Sequence, residues 1–399
     1  MKILYHHRTL GDGAEGIHIA EMINAFRNLG HSVSTVCPKG ASSLQGMASR
    51  NGDTANAIVT MKRYVPRFVA QVAEMSYNAV SYAAVRRAIR RYTPDFVYER
   101  YSFFGIGGLL AARSENVPTI LEVNATLAGR LATCHRLYFN PLAEWIETYV
   151  FRRSAGIAVV SQALRDRLTE LGVPPNRVIV TANAINPESV RFGEFDQARH
   201  AVRTQFGLSG RTVVGFVGSL RVIHGIGLLM EAIPEICARH PQSHFLIVGT
   251  GETEGRFRRF VRDQNLEDRV TFTGGLPHRD VFRHISAMDI AVMPDSNAHG
   301  SPMKLLEYMG MGKPTIAPRL GPVEELIDDD VTGRLVEAGN KEAFVDAVID
   351  LAEYPRRREA IGEAARRKVL ATRTWERNAD LVLELYQLRE RARTRGSSP

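Results

Sequence analysis

Cysteine is scarce in this chain: Cys37, Cys134 and Cys237 are the only three among 399 residues. They lie far apart and none belongs to a C-x-x-C pair, so neither a disulfide framework nor a cysteine metal site organises the fold. The expectation is reduced thiols that simply pack, as in cytosolic proteins. Long apolar runs are missing too. FFGIGGLLAA falls well short of the roughly 20 residues that span a bilayer. The start, MKILYHHRTLGDG, lacks the apolar stretch and small-residue cleavage site of a secretory leader. Low-complexity tracts and short-period repeats are also absent. These absences point to a cytoplasmic chain that at most rests on a membrane surface.

What is present is ordinary for a globular protein: 44% hydrophobic and 24% charged residues. The formal charge of +8 is carried mostly by arginine, which suits anionic partners. The basic residues are spread out and no recognition module appears, so nucleic acid is not an expected partner.

Short β-branched runs alternate with helical patterns along the whole chain. In the first half the runs include Lys2-Ile3-Leu4-Tyr5, Val33-Ser34-Thr35-Val36, Phe96-Val97-Tyr98, Thr119-Ile120-Leu121-Glu122-Val123, Ile157-Ala158-Val159-Val160 and Val178-Ile179-Val180. Residues 17–29 place Ile17, Ala20, Ile23 and Phe26 on one stripe, and Ser161 is a fitting N-cap for a helix over 162–171. The pattern lapses over 186–210, with the domain boundary expected over 186–208, and then restarts at Val213, with further runs at 245–248, 270–272, 290–293 and 315–317. Strands that each lead into a helix indicate parallel sheets covered on both faces. The expected organisation is a domain over 1–200, a second over 205–374, and a last helix near 375–394 that packs back on the first. Two such doubly wound units would leave a cleft between them, with ligands beyond the carboxyl ends of the strands.

Gly11-Asp12-Gly13-Ala14-Glu15-Gly16 matches G-x-G-x-x-G, the dinucleotide fingerprint. The second strand, however, ends Val36-Cys37-Pro38-Lys39 without the carboxylate that a nicotinamide cofactor's ribose needs. An NAD(P)-dependent enzyme is therefore a minor alternative. What survives is a glycine loop that lets backbone approach a phosphate at a helix N-terminus.

Residues 294–318, PDSNAHGSPMKLLEYMGMGKPTIAP, carry more. A strand ends, a polar loop follows, and Ser301-Pro302 suit an N-cap and first turn. The loop over 297–301 would present free N–H groups to a diphosphate or a sugar hydroxyl. Glu307, about one and a half turns into the helix, sits among Leu305, Leu306 and Met309. A carboxylate there needs a partner or a ligand hydroxyl.

These segments, in this order, resemble the retaining glycosyltransferase family 4 of the GT-B fold, in its bacterial envelope and exopolysaccharide type. GIHIAEMINAFRNLGHSV, PDFVYERYSFFGIGGLLAAR, LEVNATLAGR and IAVVSQALRDRLTELGV carry the likeness in the first half. VVGFVGSLRVIHGIGLLMEAI, FLIVGTGE, VTFTGGLPHRDV, SPMKLLEYMGMGKPTIAP and EELIDDDVTGRLV carry it in the second. The likeness implies an α/β GT-B architecture of two Rossmann-like doubly wound domains facing across a cleft. It also implies transfer of a sugar, with retention, from a nucleotide-diphosphate donor such as a UDP- or GDP-sugar to a carbohydrate or lipid-linked acceptor. No cofactor and no metal are implied. Glu307 matches the second glutamate of the family's E-x7-E motif, which holds the ribose. Gly274, Gly275, Leu276 and Pro277 match the loop bordering the base. Gly13 and Gly16 match the loop facing the leaving phosphate, and Lys304 and Leu305 lie where diphosphate contacts fall.

The chain departs from the family at several points. The first glutamate of E-x7-E is His299, followed by Gly300 and Ser301. The usual basic pair is replaced by Ser219 and His224, leaving Arg221 as the expected cation with His224 as helper. The usual first-domain histidine is missing, so Glu122 and Asn124 are the catalytic candidates there. Asp328-Asp329-Asp330 is read as a solvated turn. These departures motivate one more alternative, a GT-B partner subunit that has lost transfer. Residues 62–91 mix Lys62, Arg63, Arg67, Arg86, Arg87, Arg90 and Arg91 with aromatics, a pattern suited to the cytoplasmic face of the inner membrane.

Overall fold

The computed structural model describes residues 1–9, 14–38, 67–126, 139–191, 193, 195–296 and 303–396. The chain forms two compact units, Met1–Ala182 with Trp375–Pro399, and Asn183–Thr374.

The first unit is a six-stranded sheet of β1 (Lys2–His6), β2 (Ser32–Val36), β3 (Phe96–Arg100), β4 (Thr119–Val123), β5 (Gly156–Val159) and β6 (Val178–Val180), in the order β2-β1-β3-β4-β5-β6. All pairings are parallel. The helices are α1 (Ala14–Asn28), α2 (Arg67–Tyr92), α3 (Gly107–Ser114), α4 (Asn140–Arg153) and α5 (Gln162–Glu170). Strand β4 is buried along its whole length, as a sheet covered on both faces requires. On α1 the buried stripe is Ile19, Met22, Ile23 and Phe26. Ile17 and Ala20, expected on it, are only half-buried. The 3.6-residue period is readable, but its phase is set by what the helix meets. Ser161 caps α5, its Oγ accepting from the Leu164 N–H at 3.3 Å. The C-terminal helix (Trp375–Gly396) belongs to this unit. Trp375 is fully buried and its ring meets His18 edge-on at 4.7 Å. Leu385 packs against Gly156 so closely that a Cβ there would lie 2.6 Å from its Cδ2.

The second unit holds β7 (Thr212–Val217), β8 (Ser243–Val248), β9 (Val270–Gly274), β10 (Ile290–Val292), β11 (Thr315–Pro318) and β12 (Arg334–Val336), in the order β12-β11-β10-β7-β8-β9. Its helices are α6 (Asp196–Gln205), α7 (Ile226–Arg239), α8 (Glu254–Asp263), α9 (His278–Ala287), α10 (Met303–Gly310), α11 (Gly321–Glu324), α12 (Lys341–Glu353) and α13 (Pro355–Thr372). Strand β12 is not announced by the sequence pattern: Arg334 opens it and leaves only Leu335 and Val336 as apolar residues.

The division falls earlier than the sequence suggests. Residues 183–200, grouped with the first domain on pattern alone, lie in the second unit. Arg199 and Arg203 on α6 converge on Asp289, at 2.6 Å and 3.2 Å. The Asp289 carboxylate also accepts the Val213 N–H at 2.8 Å. This polar clamp fastens α6 to the start of β7 and β10, and no hydrophobic pattern announces it.

Strand order places the ligand crevices. In such sheets the crevice opens at the carboxyl ends of the two strands where the order reverses. Those strands are β1 and β3 in the first unit and β7 and β10 in the second.

Candidate active site

At the β7 end the chain leaves the sheet through Gly218, whose φ is +136°. A Cβ there would lie 3.0 Å from Lys304 Nζ, so glycine is required by conformation and by space. The loop continues through Arg221 into a single 3-10 turn, Val222–His224. Gly225, at φ +70°, then presses the loop onto the end of β10, since a Cβ would meet the Asp295 backbone N at 2.7 Å. Helix α10 arrives at the same place. Its Tyr308 Oη accepts the Val217 N–H at 2.6 Å, pinning the helix to the end of β7.

On this helix Lys304 and Glu307 are separated by three residues and share a face. Lys304 Nζ is buried, has no hydrogen-bond partner among the described residues and sits 4.6 Å from the centre of the Phe216 ring. Burial lowers its pKa to about 8, against the opposing pull of Glu307. Glu307 is buried, and its Oε1 lies 2.8 Å from His278 Nε2 at the start of α9. Its side chain keeps about 10% of its surface, an edge that a hydroxyl could reach. His224 is lowered to about 4, first by burial and then by the charges of Lys304 and Arg221. It is therefore neutral at pH 7 and would help Arg221 as a hydrogen-bonding group rather than as a cation. Arg221 is exposed at the loop.

The other expected residues fall as follows. Leu305 points into the core with no exposure, so only its backbone could touch a ligand. Gly275 is exposed and Leu276 half-buried, beside Gly274 at φ +74°; they lead directly to His278. His299, Gly300 and Ser301 lie outside the described residues, as does Gly13. Gly16 is buried in the first turn of α1. His278, which orients Glu307, escapes sequence reasoning. Its only signal is its place one residue after the Gly-Gly-Leu-Pro loop. The Asp328-Asp329-Asp330 turn is knit by cations: Asp328 to Lys368 at 2.9 Å, Asp329 to Arg319 at 2.6 Å and Asp330 to Arg357 at 2.6 Å.

In the first unit, Glu122 ends β4 fully buried. Its carboxylate accepts from Tyr5 Oη at 3.0 Å, from Asn124 Nδ2 at 2.7 Å and from Arg100, with His18 Nε2 at 3.3 Å. Burial alone would raise its pKa, but His18, Arg100 and Asn124 outweigh it and hold the group well below the usual carboxylate range. A carboxylate so engaged is a weak base toward a substrate proton. Glu122, expected as a catalytic candidate, sits in a buried network that also holds Asn124. Glu122→Gln leaves Arg100 facing a neutral group in a buried site. The expected loss is about 3–5 kcal/mol of stability, read by urea unfolding. An unchanged midpoint would refute this role.

At the switch point itself, His6 Nδ1 lies 2.9 Å from Glu99 Oε1, and His7 is lowered to about 4, by burial and then by His6. Topology brings them beside Glu99 and Arg100, some ninety residues away.

The family model described as Glycosyltransferase Family 4 matches residues 15–189, and that described as Glycosyl transferases group 1 matches 211–354. The chain is 26% identical over 258 residues to alpha-D-kanosaminyltransferase of Streptomyces kanamyceticus, covering 64% of this chain and 67% of that protein. It is 31% identical over 209 residues to the GDP-mannose-dependent alpha-(1-6)-phosphatidylinositol monomannoside mannosyltransferase of Mycolicibacterium smegmatis. That match covers 51% of this chain, which thus spans about half, 55%, of that relative's length. Among solved structures, a glycosyltransferase from Rickettsia africae superposes with a TM-score of 0.76 at 16% identity, covering 97% of this chain and 98% of the other. With one family model on each half of the chain and a common fold over nearly all of it, the chain belongs to glycosyltransferase family 4 and has the GT-B fold.

Proposed function

We propose that the protein transfers a sugar from a nucleotide-diphosphate donor to an acceptor hydroxyl, with retention, in polysaccharide or glycolipid assembly. One observation carries the reading: Lys304 holds an unpartnered, buried ammonium at the β7–β10 switch point, three residues from a carboxylate oriented by His278. A buried cation without a counter-ion is costly, and a diphosphate would supply that counter-ion. Glu307 would accept hydroxyls of the nucleotide's ribose. Breaking the sugar–phosphate bond develops negative charge on the leaving oxygens, and a positioned cation stabilises it. The departing phosphate itself would take the acceptor's proton, so little acid–base work falls to side chains.

No metal or cofactor is needed on this reading, because Lys304 supplies the positive charge, and the Asp328-Asp329-Asp330 turn is paired with arginine and lysine. A screen of UDP-, GDP- and ADP-sugars tests it: one donor should be turned over, with activity unchanged by EDTA. Failure of every donor would favour the partner-subunit alternative.

We propose further that the enzyme works in the cytoplasm, in peripheral contact with an anionic membrane. Among the described residues no helix is long and apolar enough to cross a bilayer. Residues 62–66 lie outside the described residues, and Arg86 and Arg90 are paired with Glu115. Phe68, Val69 and Val80 on α2 are about half exposed, which supports the membrane reading. Flotation with anionic vesicles at low salt is expected; none would remove the idea.

A further inference from the structure

The first unit contains a cavity at the end of its sheet opposite Glu122. It measures about 260 Å³ and is lined by Arg113, Arg153, Asn116 and Thr119 over an apolar floor that includes Leu109 and Val117. One water needs only about 15 Å³ of accessible volume, so the space suits a small molecule. Thr119 opens β4, and the Ala155 N–H donates to its carbonyl at 2.8 Å just before β5. The cavity therefore lies at the amino ends of the strands, about 10 Å of strand from the buried carboxylate.

Three features point to an anion. Thr119 is only 3% exposed, and its hydroxyl has no hydrogen-bond partner among the described residues. A buried hydroxyl left unpaired is costly, and an incoming acceptor would recover that cost. Arg113 and Arg153 form no ion pair among the described residues, and no carboxylate lines the cavity. Arg153 is instead held with its guanidinium 5.8 Å from the centre of the Tyr149 ring. Asn116, at φ +56° in the turn before β4, adds an amide. Two guanidinium groups and a hydroxyl match the oxygens of a phosphate, which arginine binds in paired fashion. The floor of Leu109 and Val117 offers apolar surface for the rest of a ligand.

We propose that this cavity binds a small phosphorylated metabolite, its phosphate held by Arg113, Arg153 and the Thr119 hydroxyl and its carbon frame resting on Leu109 and Val117. The site is independent of the donor site. Titration calorimetry of the full-length protein with inorganic phosphate and with glycerol 3-phosphate tests it, in wild type and in Lys304→Met, which removes the unpaired cation of the donor site. Saturable binding should persist in Lys304→Met, tighter for glycerol 3-phosphate than for phosphate. It should weaken at least about tenfold in the Arg113→Ala/Arg153→Ala variant, because each arginine supplies a charge-assisted hydrogen bond to the phosphate. Thr119→Val should weaken binding while keeping or raising thermal stability, because the hydroxyl it removes has no partner in the fold. No saturable binding, equal affinity for the two ligands, or binding unchanged in the double arginine variant would overturn the proposal.

Discussion

Replacing Lys304 by methionine is expected to lower kcat/KM by about 10²–10³-fold, the range seen when one positioned charge-stabilising group is lost from an active site. Methionine keeps the length and packing of the stem over Phe216, so the fold should hold; removal of a buried, unpaired ammonium should even raise stability. Loss of activity with gain of stability is a pairing that a structural lysine would not produce. The pH dependence gives a second handle. With a folded-state pKa of about 8 against an ordinary 10.5, the unfolded chain binds more protons between those values. Stability should therefore rise with pH through that window. Donor binding should move the other way, because it needs the charged ammonium, and weaken as pH rises above about 8. His224, neutral from about pH 4 upward, should add no inflection near pH 6–7. Steady-state kinetics and thermal melts across pH 6–9.5 read both trends.

Glu307→Ala should act differently. On the proposed reading it removes the acceptor of the ribose hydroxyls, an interaction made equally in ground and transition state. The loss should appear mainly in donor KM, about 10- to 150-fold for hydrogen bonds to a charged group worth about 1.5–3 kcal/mol. kcat should fall far less, since uniform binding does not set it. His278→Ala should show a weaker version of the same defect, because Glu307 would lose the imidazole that fixes it at 2.8 Å. A fall in kcat with unchanged KM would place Glu307 at the reacting centre and contradict its assignment to the nucleotide.

Much of this is legible in the sequence because it depends on local pattern. Continuous β-branched runs mark eleven of the strands, Ser161 marks a helix start, and the spacing inside SPMKLLEYMG puts Lys304 and Glu307 on one helical face. What cannot be read depends on partners distant in the chain. Arg221 looks like the natural replacement cation because it is adjacent to the altered basic pair. Only the fold shows that Lys304 reaches under Gly218 from a segment more than eighty residues later, while Arg221 lies exposed. Glu122 stands out because the family's usual histidine is missing from its neighbourhood; only the fold shows that Tyr5, His18, Arg100 and Asn124 engage it. The early boundary at Ala182 follows from Asp289 capturing Arg199 and Arg203, an ionic interaction with no period. Strand β12, with Arg334 among its three residues, shows no apolar run.

The most direct measurement is equilibrium binding of UDP, GDP and ADP to wild type and to Lys304→Met at pH 7 and pH 9. One nucleotide should bind wild type well at pH 7 and up to about tenfold more weakly at pH 9, where a group of pKa near 8 has lost most of its proton. Lys304→Met should bind that nucleotide weakly at both pH values. Binding by the methionine variant that equals wild type at pH 7 would mean that the diphosphate is held elsewhere, and that the buried ammonium on α10 is not the cation of the site.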